Sequence, residues 1–122
     1  MDTREVSERL LDYGVRAIRV VEALPRTLIA RRIGDQLLRS SISVGASYEE
    51  AQGAESREDF VHKLQTALKE VRESNYWLRL LAKAGIVPGN RLSATLDESN
   101  QLRAMLSKAV ETTKGKGKAA TL

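Results

Sequence analysis

The residues in this chain able to do chemistry are mostly charged ones, so the first question is which of them could act together. Glu70 and Glu73 stand three apart, on one face of a helix if the segment is helical. Paired carboxylates can do acid–base or metal chemistry. If the flanking segments pair antiparallel about a turn near Gly53, residues whose numbers sum to about 108 lie level. Arg39 then meets Glu70, and Asp35 comes near Glu73. A guanidinium beside Glu70 holds it ionised, the wrong state for a general acid. Asp35, Arg39, Glu70 and Glu73 are therefore read as a charge layer that fixes helix register. Asp59-x-x-His62 resembles half of a di-iron helix motif, but such a bundle needs two motifs and two further carboxylates, and His62 is the single histidine. A surface histidine is the better reading. With no cysteine there is no thiolate site or disulfide. No glycine-rich loop follows a strand, and the serines have no base within reach. No catalytic residue, metal or cofactor is expected, and the chain is read as not an enzyme.

What remains is the distribution of charge, and this depends on the elements that carry it. The chain has 122 residues, 42% hydrophobic and 30% charged, one domain with enough length for a real core. Apolar residues recur in steps of three and four through four segments, which predict helices at about 3–24, 27–52, 56–84 and 92–112. Leu24-Pro25 ends the first. Ser56 reads as the N-cap of the third, with Asp59 as a short-armed capping-box partner. Gly85 reads as its C′ residue, and Pro88 prevents resumption. The second helix carries two apolar stripes, so it needs partners on more than one side. Its centre, from Ser40 to Ser47, is poor helix material, and a strand over 41–48 is the alternative. As helix, its serines can bond back to carbonyls a turn earlier. The expected fold is all-α: an up-down-up-down antiparallel four-helix bundle over residues 1–112, with a disordered basic tail over 113–122. Tyr76-Trp77 could stack on bases. The pairing rule sets Trp77 level with Arg31 and Arg32, so a packed indole covered by an arginine is preferred.

The net charge is +4, and three of the positive charges are Lys114, Lys116 and Lys118 of the tail. The body is nearly neutral but polarised. The antiparallel layout brings the first and third turns to one end. Residues 26–39 contribute Arg26, Arg31, Arg32 and Arg39 against Asp35, and residues 79–91 contribute Arg79, Lys83 and Arg91 against no acid, each a net +3. Arg16 and Arg19 come up beside them. Residues 46–60 carry a net −4 at the opposite end. Arg26, Arg31, Arg32, Arg79, Lys83 and Arg91 are the candidate contacts to RNA or DNA phosphates, which need no base reading. A protein-interaction scaffold whose charged ends dock a partner is the competing reading. No apolar run is long enough to span a membrane, and the charged N-terminus has no signal-peptide pattern, so a cytoplasmic location is expected.

The stretch Ile33-Gly34-Asp35-Gln36-Leu37-Leu38-Arg39-Ser40-Ser41-Ile42-Ser43-Val44-Gly45-Ala46-Ser47-Tyr48-Glu49-Glu50-Ala51 resembles the second helix of a family of four-helix bundles. That family was first noticed in proteins encoded within intervening sequences of bacterial 23S rRNA genes, where some of its genes sit. The third-helix run Ser56-x-x-Asp59-Phe60-x-x-Lys63-Leu64, continuing to Lys69-Glu70-x-x-Glu73-x-x-Tyr76-Trp77-Leu78, is similar to it as well. The resemblance covers about residues 6–110 and departs at Ser47, where the family usually has Asn. It implies a homo-oligomeric ring, a pentamer, of four-helix bundles. It also implies kinship with the accessory variability proteins of diversity-generating retroelements, basic barrels that bind nucleic acid and a reverse transcriptase. The family has no established enzymatic activity. A pentamer would gather five basic poles at one rim.

Overall fold

Local signals set the ends of each helix. In the computed structural model, which describes the backbone of residues 1–121 and the side chains of residues 1–115, α1 spans Thr3–Glu22, α2 Leu28–Gln52, α3 Arg57–Lys83 and α4 Gly89–Thr121. Among the described residues there is no strand. Asp2, Thr27 and Ser56 cap α1, α2 and α3, their side-chain oxygens accepting from the backbone N–H of Glu5, Ala30 and Asp59. Asp59 completes the cap, Oδ2 accepting from the Glu55 N–H at 3.3 Å. The serine-rich centre of α2 is helix, not strand. Ser40 Oγ donates to the Gln36 carbonyl at 2.9 Å, and Ser43 Oγ to the Arg39 carbonyl at 2.7 Å.

The third helix closes in a Schellman motif. The Ile86 N–H donates to the Leu81 carbonyl and the Gly85 N–H to the Ala82 carbonyl, both at 3.1 Å, with Gly85 at φ +71°. Gly85 has the only positive φ among the described residues. A Cβ there is strained although space is free, so Gly85→Ala is expected to cost about 1 kcal/mol. Thermal unfolding checks this: a melting temperature lowered by several degrees is the expected result.

α4 differs most from its expected limits. It starts directly after Pro88, whose ring pre-sets helical φ, and runs on past 112 to Thr121. A helix already this long adds residues without a new nucleus, and Thr113 Oγ1 donates to the Ala109 carbonyl at 2.9 Å. Of the region expected to be disordered, residues 113–115 are thus helical. The side chains from 116 onward, including two of the tail lysines, and all of Leu122 lie outside the described residues.

Short turns alternate the helix directions. Each helix packs on its neighbours in sequence, and α1 closes the bundle against α4 along the thinnest of the four seams. Arg9 ties that seam, its Nε and Nη2 each 2.8 Å from the Glu98 carboxylate and Nη2 2.7 Å from Gln101 Oε1. The hydrogen bond to Glu98 raises the Arg9 pKa further above its ordinary value, against the opposing effect of burial. The turn after α1 packs closely on α2 at Gly34, where a Cβ would stand 2.8 Å from Leu24 Cδ1.

The core is two apolar clusters with a polar layer between them. One, toward the chain's N-terminus and the second turn, includes Leu10, Val44, Leu64, Val71, Leu102 and Leu106. The other, toward the first and third turns, is built on Leu37, Leu78, Leu81 and Leu92. Between them Tyr13 (α1), Ser41 (α2), Ser74 (α3) and Ser99 (α4) are all buried. Tyr13 Oη and Ser74 Oγ are 2.6 Å apart, and Asn75 Nδ2 donates to Ser99 Oγ at 2.7 Å. Ser41 Oγ is buried without a partner.

Candidate nucleic-acid interface

Six cations converge on the end formed by the first and third turns. Arg26 lies in the first turn, just ahead of the α2 cap. Arg31 and Arg32 follow at the start of α2, Arg91 is in the first turn of α4, and Arg79 and Lys83 close α3. All six are exposed. Among the described residues none of them pairs with a carboxylate; the ion pairs there are Arg9–Glu98, Arg19–Glu22, Arg39–Glu70, Arg39–Glu73 and Lys63–Glu50.

The placement of three of them runs against helix stability. A helix N-terminus carries partial positive charge, and cations there are repelled. The first turns of α1 and α3, at the other end of the bundle, hold the acids Glu5, Glu58 and Asp59 that this field favours. The first turns of α2 and α4 hold no acid. Arg31, Arg32 and Arg91 therefore collect where the helix field opposes them. Arg79 and Lys83 sit at a C-terminus, where the helix field does favour them. Arg79 is also aimed: its Nε donates to the buried Asn75 Oδ1 at 2.9 Å, and its guanidinium lies 5.9 Å from the Tyr76 ring centroid.

The charge layer forms from three of its four expected members. Arg39 Nη1 is 3.4 Å from Glu70 Oε2, and Arg39 Nη2 also pairs with Glu73. Glu73 accepts in addition from Trp77 Nε1 at 2.9 Å. Asp35 stands outside the layer. It borders a cleft of about 240 Å³ with Arg26 and Arg31. Its short arm and the like charge of Glu73 both disfavour the expected position, whereas Arg31 lies one turn earlier on the same face. Among the described residues the arginine over an aromatic ring is Arg79 on Tyr76, not Arg31 or Arg32 on Trp77 as expected. The half-buried indole packs on the Leu37–Leu78–Leu81–Leu92 cluster and meets Tyr76 edge-on, centroids 5.1 Å apart.

His62 is exposed, and Asp59 is committed to the α3 cap. Among the described residues no three His, Cys, Asp or Glu side chains cluster so as to hold a metal. Among them, too, no helix is long and apolar enough to cross a membrane.

Two features were not foreseen. One is Asn75, which positions Arg79; an Asn amid a buried serine layer was the only hint. The other is an apolar groove of about 470 Å³ between the outer faces of α1 and α2, bordered by Leu11, Val15, Ile18, Ile42 and Ala46. Leu11 is 61% and Ile42 48% exposed. Its trace in the sequence is the second stripe of α2.

The fold and its charges define a four-helix bundle with one cationic end. The chain belongs to the family of 23S rRNA-intervening sequence proteins, whose description it matches over residues 3–108. Among solved structures it is similar to a protein of unknown function from the S23 ribosomal protein family of Bacteroides thetaiotaomicron. The two share 31% identity at a TM-score of 0.84, over 91% of this chain and 99% of that one. No curated protein matches it.

Proposed function

We propose that this chain is a non-enzymatic, homo-oligomeric protein of the cytoplasm that binds RNA or DNA backbone through Arg26, Arg31, Arg32, Arg79, Lys83 and Arg91, as an accessory to a nucleic-acid enzyme such as a reverse transcriptase. One observation carries the reading: six exposed cations at one end have no carboxylate partner among the described residues, and three stand where the helix field opposes them. Phosphate contacts account for that placement, and helix stability does not. Gel shift of labelled single-stranded RNA, single-stranded DNA and duplex DNA tests it. Binding at low salt that weakens steeply as salt rises is expected. No shift of any of the three at low salt would sink the proposal.

The groove between α1 and α2 supports self-association. Adjacent aliphatic side chains left open on one face are the mark of an interface, and the ring implied by family resemblance supplies a second copy as occupant. Ile18→Glu puts a charge at a half-open position outside the core, so the isolated fold is expected to survive. Light scattering should show a smaller particle with unchanged helicity. An unchanged mass would remove the groove from the assembly.

A further inference from the structure

We infer that the cationic end takes single-stranded nucleic acid by lodging one unstacked base in a slot between α1 and the α3–α4 turn. The inference rests on the backbone-binding proposal and specifies the form of nucleic acid bound. The slot is a cavity of about 340 Å³ with Val20, Ile86 and Val87 among its walls and Arg16, Arg19 and Arg91 around it. That volume lies at the small end of pockets that take small molecules, enough for one heterocycle.

The slot is already shaped. Val20, Ile86 and Val87 pack on the apolar cluster of Leu37, Leu78, Leu81 and Leu92. The turn that carries two of them is fixed by the Ile86 and Val87 N–H groups, which donate to the Leu81 carbonyl at 3.1 and 3.4 Å. Its chemistry is two-sided, aliphatic walls with guanidiniums around them. Arg19 is engaged by Glu22 at 2.8 Å, which leaves Arg16 and Arg91 without a carboxylate among the described residues.

A phosphate chain alone would satisfy the arginines and leave the aliphatic walls wet. A duplex keeps its bases stacked and cannot fill the slot without an unstacking cost. A single strand offers both halves of the match. Its base has an apolar face for the walls, and the flanking phosphates suit the guanidiniums, which also stack on planar rings.

The test uses the full-length protein and three labelled probes at low salt. They are an oligothymidylate of about twenty nucleotides, long enough for a site of the single-strand type, an abasic oligomer of the same length and backbone, and a duplex. The oligothymidylate is expected to bind roughly tenfold tighter than the abasic oligomer, the effect of about one base contact. Ala23→Leu fills the slot with an aliphatic side chain that offers no stacking face, from an exposed position at the α1 C-cap. It should lower oligothymidylate binding to the abasic level and leave abasic binding unchanged. Equal binding of the two single strands by the unaltered protein overturns this inference while leaving backbone binding intact. No binding of any probe overturns both.

Discussion

Replacing Arg26, Arg31, Arg32 and Arg91 together by glutamine should remove most of the affinity for nucleic acid without weakening the fold. Six phosphate contacts on a single strand imply a slope of log affinity against log salt of roughly −4, and two contacts a slope of about −1.4. At about 0.1 M salt, four lost contacts then correspond to a loss of roughly 500-fold. Stability should move the other way. All four side chains are exposed and unpaired with carboxylates among the described residues, and Arg31, Arg32 and Arg91 lie near helix N-termini. Removing each of those three charges relieves repulsion of about 0.3–1 kcal/mol. Binding titrations across a salt series and a denaturant melt of the same sample check both halves. A variant that binds as before, or that unfolds more easily, would show that these arginines serve the fold.

The second large effect is expected at Tyr13, a fully buried side chain that joins an apolar cluster to the polar layer. Tyr13→Ala empties the middle of the bundle and takes a partner from Ser74, at a cost of about 3–5 kcal/mol. Tyr13→Phe keeps the ring and loses the hydroxyl contact, which costs about 1 kcal/mol. The two separate packing from hydrogen bonding at one position. Tyr13 also makes the fold sensitive to alkali. Burial, with a smaller opposing effect from Ser74, pushes its phenol above the ordinary value of 10.0. Folding favours the neutral phenol, so its contribution is whole below pH about 10 and declines as pH rises toward the folded value. Tyr48 is shifted the same way, mainly by burial. Tyr13→Phe should therefore lose less stability than the parent between neutral pH and pH about 11, as denaturant midpoints would reveal. Parallel losses in the two proteins would mean that the phenol is not the group responsible.

Much of this was readable from residue types and spacing because the signals are local. Ser56 and Gly85 mark helix ends through chemistry confined to a few residues, and both do so in the structure, whereas Pro88 opens α4 rather than holding helix off. The antiparallel numbering that set Arg39 against Glu70 needed only helix geometry and one turn position. The failures share a cause, competition between partners at the scale of one side chain. Asp35 pairs with no cation among the described residues, its arm too short to join the layer that Arg39, Glu70 and Glu73 complete. The Trp77 N–H required an acceptor, and Glu73 one turn back supplied it, while the ring contact of an arginine fell to Arg79 on Tyr76. Nothing in the sequence alone could say that Arg79 would be aimed by Asn75. That contact depends on how deeply one face of α3 sinks toward α4. The basic tail was misread at its start because glycine and lysine argue against a new helix more strongly than against lengthening an old one.

The hydroxyl layer at mid-bundle works as a vernier. Sliding α1, α3 or α4 by a turn would break the Tyr13–Ser74 or the Asn75–Ser99 bond, so their axial positions are pinned there. Arg91 lies eight residues along α4 from Ser99, about 12 Å by helix rise. The spacing of guanidiniums at the tip is thus inherited from contacts deep inside. Mutations among the serines should retune that spacing without touching a single charge.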